Sequence, residues 1–248
     1  MTDPSSTTPS PSWQLFRVID EPGAVFHSLA QRPRSLLPIV ALVIVAFVTG
    51  FLLPAEQLRE QSRRQAEFIQ QRAQGVPPEQ AEQLQQRAEE MVANAATTKA
   101  RFTLAIFGAI VPIIALVVTA LILMLIFGAT GAEPLGFKTE FAVTAHAYVP
   151  QLLGTLVVVG VGMAGIQDVQ LSLGFLSDLE SSPFLFTFLS QFGIFGVWNV
   201  VLLAVGNQIL TGGKRLTGPL AIVGGLWILK NLVVAAVVGL TAGAMGGA

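Results

Sequence analysis

The sequence contains no cysteine and only two histidines, and just 12% of its 248 residues are charged. The absence of cysteine excludes disulfides, thiol catalysis, iron–sulfur clusters and cysteine-ligated zinc. An average soluble domain is about a quarter charged. The low charge content and a mean hydropathy of +0.66 therefore indicate an integral membrane protein. A net charge of −1 provides no basic field for nucleic acid.

Catalytic motifs are also scarce. The segment LTGGKRLTG lacks the first glycine and the hydroxyl residue of a phosphate-binding loop, and it follows an apolar run rather than a strand. His146 could bind a metal or carry a proton with Glu140, but a histidine satisfied by its own hydrogen bond is the favoured interpretation. The acidic residues are assigned to loops. We therefore expect no enzymatic activity, no metal and no cofactor.

Long apolar stretches dominate the remainder of the sequence. A spanning helix needs about 20 residues, and interior prolines are tolerated in packed membrane helices. The sequence therefore predicts an all-α fold, a multi-pass bundle of five transmembrane helices within a membrane domain at 36–248. The predicted spans are 36–53, 102–127, 141–166, 184–210 and 219–244.

The N-terminal region divides into two parts. Residues 1–12 are rich in Ser, Thr and Pro and are predicted to be a disordered tail. Residues 13–35 place apolar side chains at helical spacing, which predicts two short amphipathic helices. They lie on the membrane surface or, as an equally supported alternative, pack on the bundle.

Residues 55–100 form the one large polar insertion and are rich in Gln, Glu, Arg and Ala, which favour helix. The sequence GVPPEQ interrupts them, and small or apolar residues recur at three/four spacing on both sides. This pattern predicts an antiparallel helical hairpin outside the bilayer, whose second helix runs on into the second span. Partner binding, dimerisation and a simple spacer remain open as its role.

Basic residues near the span ends indicate orientation. Arg32, Arg34, Lys214 and Arg215 flank spans on one side, whereas 167–183 contains no Lys or Arg. The positive-inside rule then places the N-terminus in the cytoplasm, and the Arg- and Ala-rich composition favours a bacterial cytoplasmic membrane. These four cations are also candidate contacts for lipid headgroups.

Lys230 stands in the otherwise apolar segment GGLWILKNLVV. A lysine at mid-span costs about 2.5–3.5 kcal/mol on insertion scales. It lies deep in a straight helix, reaches the cytoplasmic face from a shallow one, or points into the bundle, which is the geometry favoured here. The candidate intramembrane polar cluster comprises Lys230, Asn231, Asn199, Asn207 and His146.

Three segments carry a resemblance to a known family. They are EPGAVFHSLAQRPRSLLPIVALVIVAFVTGFLLP, FKTEFAVTAHAYVPQLLGTLV and FGVWNVVLLAVGNQILTGGKRLTG. In order and spacing they resemble bacterial members of the Yip-one domain family of Ypt/Rab-interacting proteins. The resemblance implies five spans, a cytosolic N-terminus and a short exterior tail. Eukaryotic relatives act in vesicle trafficking, and the resemblance brings no catalytic residues.

Two functions follow as expectations. The first is a non-enzymatic scaffold or adaptor in membrane organisation, with the lipid bilayer and other membrane proteins, or a second copy of the chain, as partners. The alternative is a small transporter, channel or lipid-moving protein that uses the polar residues around Lys230.

Overall fold

The computed structural model describes residues 11–130, 135–166, 171–177 and 182–246, and within these ranges the chain is helical and contains no strand. An isolated bridge pairs Ser172 with Gly193. The all-α prediction is confirmed, while the predicted tail lies, except for its last two residues, outside the described residues. The helices are α1 (Pro11–Asp20), α2 (Pro22–Gln31), α3 (Leu36–Leu52), α4 (Ala55–Ala73), α5 (Pro78–Asn94), α6 (Thr98–Thr130), α7 (Phe137–Ala147), α8 (Val149–Met163), a 3-10 helix (Leu173–Leu176), α9 (Pro183–Ser190), α10 (Ile194–Leu210) and α11 (Thr217–Gly246).

Among the described residues, three helical stretches are long and apolar enough to cross a membrane: Thr98–Ala129, Phe137–Met163 and Thr217–Leu240. A fourth results if α3 is counted together with the start of α4, from which a bend of 90° separates it. Helix α10 is apolar but has only 17 residues. The multi-pass membrane character is therefore confirmed, and the count of five spans stays a prediction.

Prolines account for the C-terminal ends of α3 and α7. Helix α3 ends at Leu52, two residues before Pro54, because the residue before a proline is driven out of helical geometry. Helices α7 and α8 separate at Tyr148, since Pro150 has no N–H to donate to the carbonyl four residues earlier. Pro112, by contrast, lies within the unbroken α6, as packed membrane helices permit.

The chain divides into two compact units. The first unit is drawn from Met1–Leu42, Pro112–Leu152 and Val197–Leu226. The second is drawn from Val43–Val111, Leu153–Gly196 and Trp227–Ala248.

In the first unit, α1 and α2 pack against each other and against α7. Val18, Phe26 and Leu29 are completely buried by this packing, whereas Phe16 stays 65% exposed. Burying a Phe or Leu side chain contributes about 1.5–3 kcal/mol, so these contacts help to hold α1 and α2 against α7. These contacts agree with packing on the bundle, and a position on the membrane surface stays a prediction.

In the second unit, α4 and α5 lie together along a seam of small side chains. Ala66, Ala73 and Ala88 are buried there, so the two backbones approach closely. The start of α4 is held by a small apolar cluster in which Leu58 joins Leu53 and Val159.

The chain does not continue as one helix from α5 into α6, so the expected continuity is wrong. A turn separates the two helices, and Thr97 stabilises it. The Thr97 hydroxyl donates to the Asn94 carbonyl at 2.8 Å and accepts from the Ala100 N–H at 3.3 Å. Threonine favours such caps because its hydroxyl satisfies N–H groups that the first helical turn leaves free.

Arg101, on the first turn of α6, fixes the end of α3. Its Nη1 donates to the Phe51 carbonyl at 2.7 Å and to the Leu53 carbonyl at 3.0 Å. The last carbonyls of a helix lack intrahelical partners, and a cation also complements the negative end of the helix dipole. A basic side chain from another helix therefore stabilises the 90° bend between α3 and α4.

The predicted span 184–210 is interrupted. Helix α9 ends at Ser190 and α10 begins at Ile194. Within the interruption, the Phe192 carbonyl accepts a hydrogen bond from the Leu173 N–H at 3.3 Å. A Cβ at Gly193 would lie 3.1 Å from the Leu171 carbonyl oxygen, so this close crossing of two chain segments favours glycine.

Candidate functional site

Glu140 lies in the first turn of α7 and is completely buried in the first unit. Its Oε1 accepts a hydrogen bond from Nδ2 of Asn207, a fully buried residue of α10, at 3.2 Å. The same Nδ2 donates to the Leu203 carbonyl at 3.0 Å. Because both neighbours of Nδ2 are acceptors, the amide is oriented with its nitrogen toward Glu140, and Oδ1 is left as an acceptor.

Three buried oxygens here have no hydrogen-bond partner among the described residues: Glu140 Oε2, Asn207 Oδ1 and Thr144 Oγ1. Thr144 follows Glu140 by about one helical turn, so the two side chains project from the same face of α7. A buried polar group without a partner costs about 1–3 kcal/mol. Two of these oxygens only accept, and the Thr144 hydroxyl can donate a single hydrogen bond, so the site lacks one donor.

The same part of the first unit is tightly packed. A Cβ placed at Gly206, beside Asn207, would overlap Val143 Cγ1 and would lie 3.6 Å from two ring carbons of Phe26 on α2. Val143 and Phe26 are both completely buried. Glycine thus allows α10 to approach α7 and α2 closely, and the neighbouring polar pair is shut off from solvent.

Two other residues of the predicted polar cluster also lie in the first unit, each with a hydrogen bond. His146 is 2% exposed, and its Nδ1 is 2.8 Å from the Ala142 carbonyl of the same helix. Asn199 Nδ2 donates to the Ala147 carbonyl at 2.7 Å. The structure therefore brings Asn199 and Asn207 of α10 against α7, and the geometry of His146 agrees with the satisfied-histidine interpretation.

Asn231 and Lys230 belong to the second unit. Asn231 is completely buried, and neither of its amide atoms has a partner in the part of the chain that the structure describes. The neighbouring Lys230 side chain is exposed and pairs with no acidic group of the described chain. The exposed position of Lys230 differs from the prediction from the sequence, in which its side chain points into the bundle. The reason is their adjacency, since neighbouring residues of a helix point about 100° apart and only Asn231 faces the interior.

The four candidate headgroup contacts belong to the first unit and are all exposed: Arg32, Arg34, Lys214 and Arg215. None of them forms an ion pair within the described ranges, where the ion pairs are Arg17–Glu21 and Arg63–Glu60. Glu21 also raises the pKa of Arg17 above its ordinary value, through its hydrogen bond and its charge. The four basic groups are thus free to bind anions, and contact with lipid headgroups stays a prediction.

Glu140 is the residue whose role the sequence did not reveal. The assignment of all acidic residues to loops is wrong for it, since it lies inside the candidate span Phe137–Met163. The one available signal was the Asn residues in the fourth apolar run, because a buried amide needs a polar partner on a neighbouring helix. The sequence alone does not identify that partner, which lies 67 positions away.

These features define a multi-pass helical membrane protein with a small buried polar site. The sequence matches the Yip1 domain over residues 16–240, nearly the whole chain. The chain therefore belongs to the Yip1 domain family, as the resemblance of its three segments implied. Comparison with curated proteins and with solved structures gives no match.

Proposed function

We propose that this protein is a non-enzymatic scaffold or adaptor that binds other membrane proteins, or a second copy of itself. The observation that supports this role most directly is the α4–α5 hairpin. Its two helices pack on each other, and most of the Gln, Glu and Arg side chains of α5 are exposed. At about 1.5 Å per residue, α5 is about 25 Å long, which is sufficient for a binding surface.

The base of the hairpin is anchored within the second unit, as a binding element requires. A Cβ at Gly162 on α8 would lie 2.7 Å from the side-chain amide atoms of Gln57 on α4. Together with the cluster around Leu58, this contact holds the first turn of α4 against α8. A partner bound to the hairpin would therefore be held in a defined position relative to the helices of this unit.

Photo-crosslinking from the hairpin tests the scaffold role. A photo-reactive residue replacing the exposed Gln85 of α5 should yield one or a few discrete adducts in native membranes. The same residue at Lys214, which is also exposed but lies in a short loop, is the matched control and should yield none of them. Co-expression of two differently tagged copies distinguishes self-association from a second protein. A folded protein without a discrete adduct at Gln85 would contradict the proposal.

The proposed topology is five spans, with the N-terminus and the basic loop at 211–216 in the cytoplasm and the hairpin outside. Because the chain has no cysteine, single cysteines report accessibility without background. In intact cells, an impermeant maleimide should label Gln74→Cys in the hairpin turn and should label Lys214→Cys only after permeabilisation. Labelling of position 214 but not of position 74 in intact cells would indicate the opposite orientation.

A second candidate function is a small transporter or lipid-moving protein. The observation that favours it is the carboxyl group of Glu140, which is buried beside Asn207 within a candidate span. Ionisable residues inside membrane segments are expensive, and they often mark pathways for ions or protons. This candidate is secondary because the site is closely packed at Gly206.

A further inference from the structure

We propose that Glu140, Asn207 and Thr144 form a proton-binding site in which Glu140 is held as a neutral carboxylic acid. This inference is independent of the scaffold role. It rests on three side chains that are 0%, 0% and 1% exposed, respectively. It rests also on the three oxygens among them that lack a hydrogen-bond partner in the described ranges.

The first step is the charge balance around Glu140. Within the described ranges, the titratable groups of α7 and of the elements packed against it are Lys138, His146, His27, Arg17 and Asp20, with Glu21 directly after α1. Lys138 and His27 are exposed, and Arg17 pairs with Glu21. His146 and His27 have their Nδ1 atoms beside the backbone carbonyls of Ala142 and Gly23. No described cation therefore pairs with Glu140.

The second step is the cost of leaving that carboxylate charged. An isolated ionised carboxylate in an apolar interior is destabilised so strongly that such a group is normally neutralised. A divalent metal ion would require several further oxygen ligands, and Glu140 is the only buried acidic residue among the described ones. A proton taken from the aqueous phase neutralises the group without further ligands.

The third step is the hydrogen-bond geometry. With Asn207 Nδ2 donating to Glu140 Oε1, both Glu140 Oε2 and Asn207 Oδ1 are acceptors without a donor. One proton on Oε2 provides an O–H group that can donate to Asn207 Oδ1 or to Thr144 Oγ1. A single proton therefore removes the charge and also supplies the missing donor.

Infrared spectroscopy of the full chain in lipid nanodiscs tests this assignment. At neutral pH exposed carboxyl groups are ionised, and the ester carbonyls of the lipid do not respond to carbon-13 labelling of glutamate, so a label-sensitive carboxylic C=O band comes only from a protonated buried glutamic acid. The band should be present in the wild type and should shift when glutamate carboxyls are labelled with carbon-13. It should be lost in Glu140→Gln and retained in Glu82→Gln, an exposed position of α5. A wild type without the band, or a band that survives in Glu140→Gln, would overturn the proposal.

Two further measurements keep the test decisive. If Glu140→Gln does not fold, Thr144→Val and Asn207→Leu decide together, because loss of the acceptor that the Glu140 O–H uses should shift the frequency of the band, and a frequency unchanged in both variants would count against the site. The melting temperature is then compared in sodium, potassium and choline chloride. Equal values support a proton as the ligand, whereas stabilisation by sodium or potassium that depends on Glu140 would identify a metal cation instead.

Discussion

Replacing Asn207 with Leu is expected to destabilise the protein by about 1–3 kcal/mol, which is the cost of leaving a buried polar group without its partner. The substitution nearly preserves volume but removes the hydrogen bond that Asn207 Nδ2 donates to the Glu140 carboxyl group. The melting temperature of the purified protein in nanodiscs, followed by circular dichroism, measures the effect.

Asn199→Leu is the matched control for this change, because it removes an amide from the same helix. Asn199 is only half-buried and donates to the backbone carbonyl of Ala147, so a net loss of about 0.5–1.5 kcal/mol is expected. The double variant Glu140→Leu with Asn207→Leu should be more stable than Asn207→Leu alone, since it leaves no unpaired carboxyl group. Equal or greater destabilisation by Asn199→Leu would contradict the importance of the Glu140–Asn207 pair.

The helical fold of this chain could be predicted because the bilayer requires a simple pattern. A long apolar run with few charges is stable in lipid only as a helix that satisfies its own backbone hydrogen bonds. Helices accordingly occupy the predicted runs, with α3 beginning at residue 36 as expected and α6 and α11 extending a few residues beyond their predicted bounds. Composition therefore predicts the presence of helices well, because helix formation in lipid depends on residues that are close together in the sequence.

Interruptions of helices could not be predicted in the same way. The break between α9 and α10 depends on Gly193 lying against Leu171, and its only signal in the apolar run is the short sequence SQFG at 190–193. The end of α5 depends on a local cap at Thr97, which the three/four spacing of small and apolar residues up to Ala95 conceals. Both boundaries are fixed by specific hydrogen bonds or close contacts rather than by average hydrophobicity.

The candidate site was predicted only in part, for a related reason. Asn199 and Asn207 stood out because amides in apolar runs need partners. Glu140 was considered only as a partner of His146, because it directly precedes the predicted span, and only tertiary packing decides whether such a residue faces water or the interior. Lys230 shows the opposite case, since its charge drew attention while the completely buried side chain is that of its neighbour, Asn231.

Gly206→Ala is expected to destabilise the protein by about 1–3 kcal/mol through overpacking, because the added Cβ would overlap Val143 Cγ1. The sign of this effect is informative. Alanine is otherwise preferred over glycine in a helix by about 1 kcal/mol, so the matched control Gly224→Ala on α11, where nothing lies within 4 Å of the added Cβ, should be neutral or stabilising.

A double-mutant cycle then identifies the steric cause of the Gly206→Ala effect. Val143→Ala removes the methyl group that the new Cβ would meet, at the cost of a small cavity. The combination of Gly206→Ala with Val143→Ala should therefore be more stable than the sum of the single effects predicts, by about 0.5–3 kcal/mol of coupling, as found for residues in contact. Melting temperatures of the four proteins measure this coupling. Strictly additive effects, or a Gly206→Ala variant as stable as Gly224→Ala, would show that the close approach of α10 to α7 does not limit the packing of the first unit.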